Sequence, residues 1–376
     1  MKLTKLAILM VAVAAMASCS DEPEEIVPAE YTEIAEAQGQ GGGYAGMYLL
    51  NEGNMGSNKC TLDYLNFNNG VYGRNLYAQQ NPDVALELGD TGNDIAIYNG
   101  RLYIVVNGSH KVEVLDAATA KRIGKVDIDN PRYIAFDGKN AYVSSYVGGE
   151  DDHGTVVRFD TDKLQVTGSV PVGLQPEEIV ITDGKLYVAN SCISMTPNYD
   201  NTISVVDLGS FKLEGSIAVD INMHHLKIDS EKNLWVSSRG NYYDIPSRLY
   251  KLSADENGNY SVAATVPTAC SNMAIYKDKL YYYASEWSNE TYAFTISYGV
   301  VDTKTAKIEP ESFITDGTEG NIVAPYAIEV NPGNGDVVIT DAKNYTSSGA
   351  VYCYRQGRRI WNATTGDIPG NVVFRR

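Results

Sequence analysis

His224-His225 is the one histidine pair among four histidines. Paired imidazoles suggest a metal, but neighbours on a strand point to opposite faces, so these two do not readily share one ion. One of them is expected to face inward. Glu150-Asp151-Asp152-His153 offers the oxygen ligands that calcium takes, in a setting that also reads as a solvated loop tip. Asp255-Glu256-Asn257-Gly258-Asn259 lacks the rest of a calcium-loop pattern and reads as a turn. Glu177-Glu178 are adjacent carboxylates whose separation across a substrate the sequence leaves open. No Gly-x-Ser-x-Gly elbow is present. These residues assemble no catalytic set, no metal site and no resident cofactor site. The chemistry that remains is recognition. The candidate ligand-binding residues are Arg132, Tyr133, Tyr146, Tyr199, His224, Arg239, Tyr242, Tyr243, Trp287, Tyr326 and Tyr345. They combine rigid aromatic area with hydrogen-bonding tips, as ligand-capturing surfaces do.

The elements that must position them repeat. Ile95–Asn107, Ile134–Ser145 and Ile179–Asn190 align as two β-rich runs around a tight turn. Related pairs follow at Leu226–Ser238, Met273–Ala284 and Ala327–Asp341. Asn99-Gly100, Asp137-Gly138, Asp183-Gly184 and Asn334-Gly335 supply the turn chemistry of hairpins. A third run ending in Asp recurs, as in Val112–Asp116, Val156–Asp160, Ile203–Asp207 and Tyr298–Asp302, and a fourth closes each unit. This periodicity predicts an all-β, seven-bladed β-propeller of four-stranded blades. Six units start near Asn93, Pro131, Pro176, Asn222, Ser271 and Pro325. The seventh combines residues 46–80 with a last strand at Asn371–Phe374, which closes the ring. The length of 376 residues would on average suggest two or three domains, but one ring absorbs residues 45–376. The candidate residues then fall on one face, in the long B–C connections and at the inner-strand starts.

The N-terminus reads as an address. Lys2 and Lys5 precede an apolar run from Leu6 to Ala17, too short to span a bilayer. Residues 1–18 are expected to be a signal peptide and 19–44 an acidic, Gly-rich tether. The sequence carries 27 Tyr against 7 Phe and 3 Trp, and a net charge of −17. Removing residues 1–18 deletes two lysines and no acids, giving −19. That balance disfavours nucleic acid and anionic membrane as partners. Cys60, Cys192, Cys270 and Cys353 have no metal-ligand spacing and are expected as isolated buried thiols.

Met16-Ala17-Ser18-Cys19 is similar to a bacterial lipobox, which implies that Cys19 is the acylated N-terminus. Ser20-Asp21-Glu22-Pro23-Glu24-Glu25 resembles the acidic export tag of Bacteroidota surface lipoproteins, which implies lipid-anchored display on the outer membrane. The repeat LYV(A/V)N … (V/I)xVxD … KLxxGS(V/I) resembles the YncE-type, "surface-layer" seven-bladed propellers over roughly residues 46–376. The combination is similar to the surface lipoproteins that include the BtuG cobalamin-capture proteins. The resemblance implies a non-enzymatic protein that holds cobalamin or another corrinoid on its loop face and passes it to a TonB-dependent transporter. No ligand-contact motif of that family is matched residue by residue. Two alternatives stay open: a surface glycan- or protein-binding module, and a lyase- or hydrolase-type propeller.

Overall fold

The computed structural model describes residues 30–84, 88–148, 153–191, 198–288 and 292–376. Residues 1–18, expected to be a signal peptide, lie outside the described residues, as do Cys19, Cys192 and the acids Glu150, Asp151 and Asp152. The alternating strands form seven sheets, each antiparallel and arranged radially. Inner strands run over Gly92–Tyr98, Pro131–Asp137, Pro176–Thr182, Met223–Ile228, Asn272–Tyr276 and Pro325–Val330 in blades 2 to 7. The starts expected from the repeats are met to within a residue. Pro369–Arg375 pairs with Gly46–Asn51 and supplies the inner strand of blade 1, so the ring closes across the two ends of the described chain.

The turn chemistry works as the sequence implies. Asn99-Gly100 and Asp183-Gly184 both adopt positive φ angles, the backbone that a two-residue hairpin needs. Asp116 accepts the amides of Ala118 and Thr119, Asp160 those of Asp162 and Lys163, and Asp207 that of Ser210. The core lies between blades. Tyr103, Val105, Val112 and Val114 of blade 2 pack on Ile134, Ala141, Val143 and Phe159 of blade 3, and the other blade pairs bury similar clusters. Of the repeated strand tyrosines, Tyr103, Tyr142 and Tyr187 are buried and Tyr281 is half-buried.

Two local expectations change. Residues 30–44, read as the end of a flexible tether, belong to blade 1. Tyr31–Glu33 pairs with Val71–Gly73 as a fifth, outermost strand, and Ile34 and Ala37 enter the core. The glycine run serves close approach: a Cβ on Gly41 would lie 2.0 Å from the Tyr44 carbonyl, and the Gly41 carbonyl accepts Asn331 Nδ2 at 3.1 Å. Residues 71–77 read as one β-rich run in the sequence, but only Val71–Gly73 is strand, and Leu76–Gln80 is a short helix. Cys60, Cys270 and Cys353 are buried and unpaired.

Candidate functional site

The decisive local feature is a bulge. In six of the seven blades the ladder between the inner and second strands slips by one residue near the inner-strand start. Met223 pairs with Ser238 and Leu226 with Val236, so three steps on one strand oppose two on the other. A bulge re-aims side chains and breaks the strict alternation of faces. His224 and His225 therefore do not separate onto opposite faces: their rings lie 3.8 Å apart. The freed amides find hydroxyls on the second strand. Tyr133 N–H donates to Ser144 Oγ, His225 N–H to Ser237 Oγ and Ala327 N–H to Thr340 Oγ1, at 2.8–3.1 Å. Ser144 Oγ and Thr340 Oγ1 also donate to the next blade, at the carbonyls of Glu177 and Pro369.

The bulge brings candidate residues from blades 3 to 5 together around one carboxylate that sequence reading set aside. Glu177 is fully buried. Its Oε2 accepts Arg132 Nε at 3.1 Å and Arg132 Nη2 at 3.0 Å. Its Oε1 accepts the Tyr146 hydroxyl at 2.6 Å and Arg239 Nη2 at 3.3 Å. The Arg132 guanidinium also lies over the Tyr146 ring, 4.7 Å from its centroid. Burial opposes ionisation of Glu177, but Arg132 and Arg239 outweigh it and hold the carboxyl below its ordinary value. Tyr133 Oη meets His224 Nε2 at 3.1 Å. Burial, then Arg239 and the other cations nearby, holds the His224 imidazole well below its ordinary value, so it is neutral. Further along the channel, Glu178 accepts His225 Nδ1 at 3.0 Å and the Lys227 ammonium. Burial alone would raise its carboxyl; Lys227 and His225 bring it down to about 2.

Beside this cluster, a cavity of about 450 Å³ opens between blades 5 and 6. His224, Arg239, Tyr242, Tyr243, Trp287 and Phe294 contribute to its wall. Its blade 5 side is internally braced. Asn241 Oδ1 accepts the amides of Tyr243, Asp244 and Ile245 at 2.8–3.0 Å, and the Tyr199 hydroxyl donates to the Asn241 carbonyl at 3.3 Å. Gly240 is required at the bend, because a Cβ there would lie 2.0 Å from the Ile245 carbonyl. On blade 6, Trp287 lies on a strand, not in the loop expected over Ser285–Ala293. Lys279–Ser288 and Ala293–Asp302 extend as a long hairpin, and Trp287 pairs across it with Phe294, rings 5.2 Å apart. Tyr242, Tyr243, Trp287 and Phe294 are all exposed.

Tyr326 and Tyr345 form a separate group. Their rings meet edge-on at 5.9 Å, and the Tyr326 hydroxyl donates to Glu52 Oε2 at 2.9 Å. Burial pushes the Glu52 carboxyl up from 4.5 to about 7, against the opposing effects of Tyr326 and Arg132. An acid with a raised folded-state pKa contributes stability below its unfolded value and loses it as pH rises through the folded value. Glu52→Gln, which removes the ionisation, is therefore expected to leave stability unchanged at pH 4 and to raise it by about 1–3 kcal/mol at pH 8. Denaturant unfolding at the two pH values checks this; an equal effect at both contradicts it.

Sequence reading thus missed Glu177 as the hub, Glu52 as the partner of Tyr326, and Phe294. The signal for Glu177 was present: two residues before Ile179, it aligns with Arg132 before Ile134 and His224 before Leu226. Among proteins of curated function, none matches the chain. Two of the many solved structures similar in fold illustrate the likeness. Hydrazine synthase of Kuenenia stuttgartiensis is 21% identical with a TM-score of 0.54, over 68% of this chain and 73% of that one. A quinoprotein alcohol dehydrogenase-like protein of Bacteroides thetaiotaomicron is 14% identical with a TM-score of 0.59, over 88% and 78%. At these identities the likeness speaks to the propeller alone. Residues 45–368, nearly the whole ring, match the family model described as a domain of unknown function, DUF5074, and the chain belongs to that family.

Proposed function

We propose that this chain is a lipid-anchored, outer-surface capture protein without enzymatic activity. It holds a small ligand on the loop face, cobalamin being the first to test, and passes it to a TonB-dependent transporter. The observation that carries the reading is the open aromatic cavity between blades 5 and 6, with its braced Asn241 loop. Preorganised aromatic walls lower the ordering cost of binding. The polar cluster behind it suits positioning more than turnover: all four contacts on Glu177 are already made, and His224 is engaged with Tyr133. The lipobox-like Cys19 and the acidic segment after it support the anchor and the surface address.

Calorimetric titration of the chain from Glu30 onward with cyanocobalamin tests this, since the strand at Tyr31–Glu33 belongs to the ring. The expected result is saturable heat with a micromolar or tighter dissociation constant. No heat and no displacement at micromolar concentrations would overturn the cobalamin reading and favour a glycan or protein ligand. Trp287→Ala with Tyr243→Ala is expected to weaken binding by about 2–4 kcal/mol. Unchanged affinity would place the ligand elsewhere.

A further inference from the structure

We infer that the ligand of this cavity carries an oxyanion, a carboxylate or a phosphate, which docks on Arg239 at the inner end while a planar or apolar body lies against Trp287, Phe294 and Tyr243. The inference rests on the capture reading above and adds the chemical class of the ligand. Its basis is a charge imbalance. Two guanidiniums, Arg132 and Arg239, face one carboxylate, Glu177. Each of the four contacts on Glu177 is taken, two of them by Arg132. Among the described residues, Arg239 shares only one of its five N–H donors, and that contact is the longest of the four, at 3.3 Å. Its side chain is 26% exposed and lines the cavity.

The surroundings of His224 reflect the same guanidiniums. Besides burial, the groups that hold its imidazole neutral are Arg239, His225, Arg132 and Lys227, each a cation or capable of becoming one. Two acids also line the cavity, Asp244 and Glu286. Both are exposed, and Asp244 accepts Asn241 Nδ2 at 2.6 Å. Exposed charges are screened by water and salt, whereas the partly buried guanidinium is screened much less. A buried positive surplus is unfavourable until an anion joins it. The planar guanidinium fork matches carboxylate and phosphate oxygens. This attraction is local, since the chain as a whole carries −17.

Riboflavin and riboflavin 5′-phosphate present one planar body with and without the anion. Titrated into the chain and followed by flavin fluorescence, the phosphate ester is expected to bind at least about tenfold more tightly at low salt, about 1.4 kcal/mol. That advantage should shrink in high salt, disappear in Arg239→Gln and largely survive in Arg239→Lys, which keeps the charge. Asp244→Asn should increase it. Equal affinities for the two flavins, an advantage untouched by Arg239→Gln, or no binding of either flavin at sub-millimolar concentration would overturn the inference. The outcome is separable from the capture reading. Cyanocobalamin binding that survives Arg239→Gln removes the anion site and leaves capture standing. Arg239-dependent binding of the flavin phosphate without any cobalamin binding keeps the anion site and removes cobalamin as the captured ligand.

Discussion

Glu177→Ala is expected to destabilise the chain by about 3–5 kcal/mol, because it strands two largely buried guanidiniums without their fully buried carboxylate. Arg132 and Arg239 come from different blades from Glu177, so the loss is also a loss of registration between blades 3, 4 and 5. Tyr146 loses its acceptor in the same stroke. A second substitution isolates the electrostatic cause: adding Arg132→Met should recover part of the loss, since it removes one of the orphaned charges. The pH dependence has a definite sign. Glu177 and Glu178 are held below their ordinary value of 4.5, so the stability they contribute is present above that value and lost as pH falls through their folded values, which for Glu178 is about 2. Glu52 acts in the opposite direction, losing stability as pH rises through about 7. Denaturant unfolding measures the effect; a loss below about 1 kcal/mol, the worth of a surface pair, would contradict the account of a buried hub.

Removal of residues 369–376 is expected to unfold the ring. The inner strand of blade 1 buries Val372 and Phe374 against the core that holds Met47, Leu49, Trp361 and Ala363. Burial of those two side chains alone is worth about 3–6 kcal/mol. That is comparable with the whole net stability of a folded domain. Loss of the strand also leaves Gly46–Asn51 as an unpaired edge facing the channel, which invites association with other chains. Thermal unfolding and light scattering of the shortened chain read both effects. A monomeric chain with an unchanged melting temperature would contradict the closure.

The architecture was legible because it repeats. Paired β-rich runs recur six times, Asn-Gly or Asp-Gly turns and terminal aspartates four times each, and each copy corroborates the others. The site was legible only in part. Arg132, Tyr133, Tyr146, His224 and Arg239 do converge, and Tyr242, Tyr243 and Trp287 do share one cavity with Arg239. Tyr199 braces the Asn241 loop from blade 4, and Tyr326 with Tyr345 stands in its own group around Glu52. What alternation rules could not supply is the bulge at the inner-strand start. A one-residue slip leaves no mark in hydrophobic periodicity, yet it brings His224 beside His225 and sets Glu177 among the arginines. The Ser or Thr that caps the freed amide, at Ser144, Ser237 and Thr340, is the trace it leaves in the sequence. The strap at residues 30–44 was hidden for another reason: glycines that permit close packing and glycines that permit flexibility are the same residue.

The central claim is that ligand is held on the loop face between blades 5 and 6. Hydrogen–deuterium exchange of the chain with and without cyanocobalamin tests it most directly. The account predicts slowed exchange in the segments around Arg239–Ser247 and Ser285–Phe294, with the tight turns at Asn99-Gly100 and Asp183-Gly184 on the opposite face unchanged. Protection confined to those turns, or no change anywhere at saturating ligand, would contradict it.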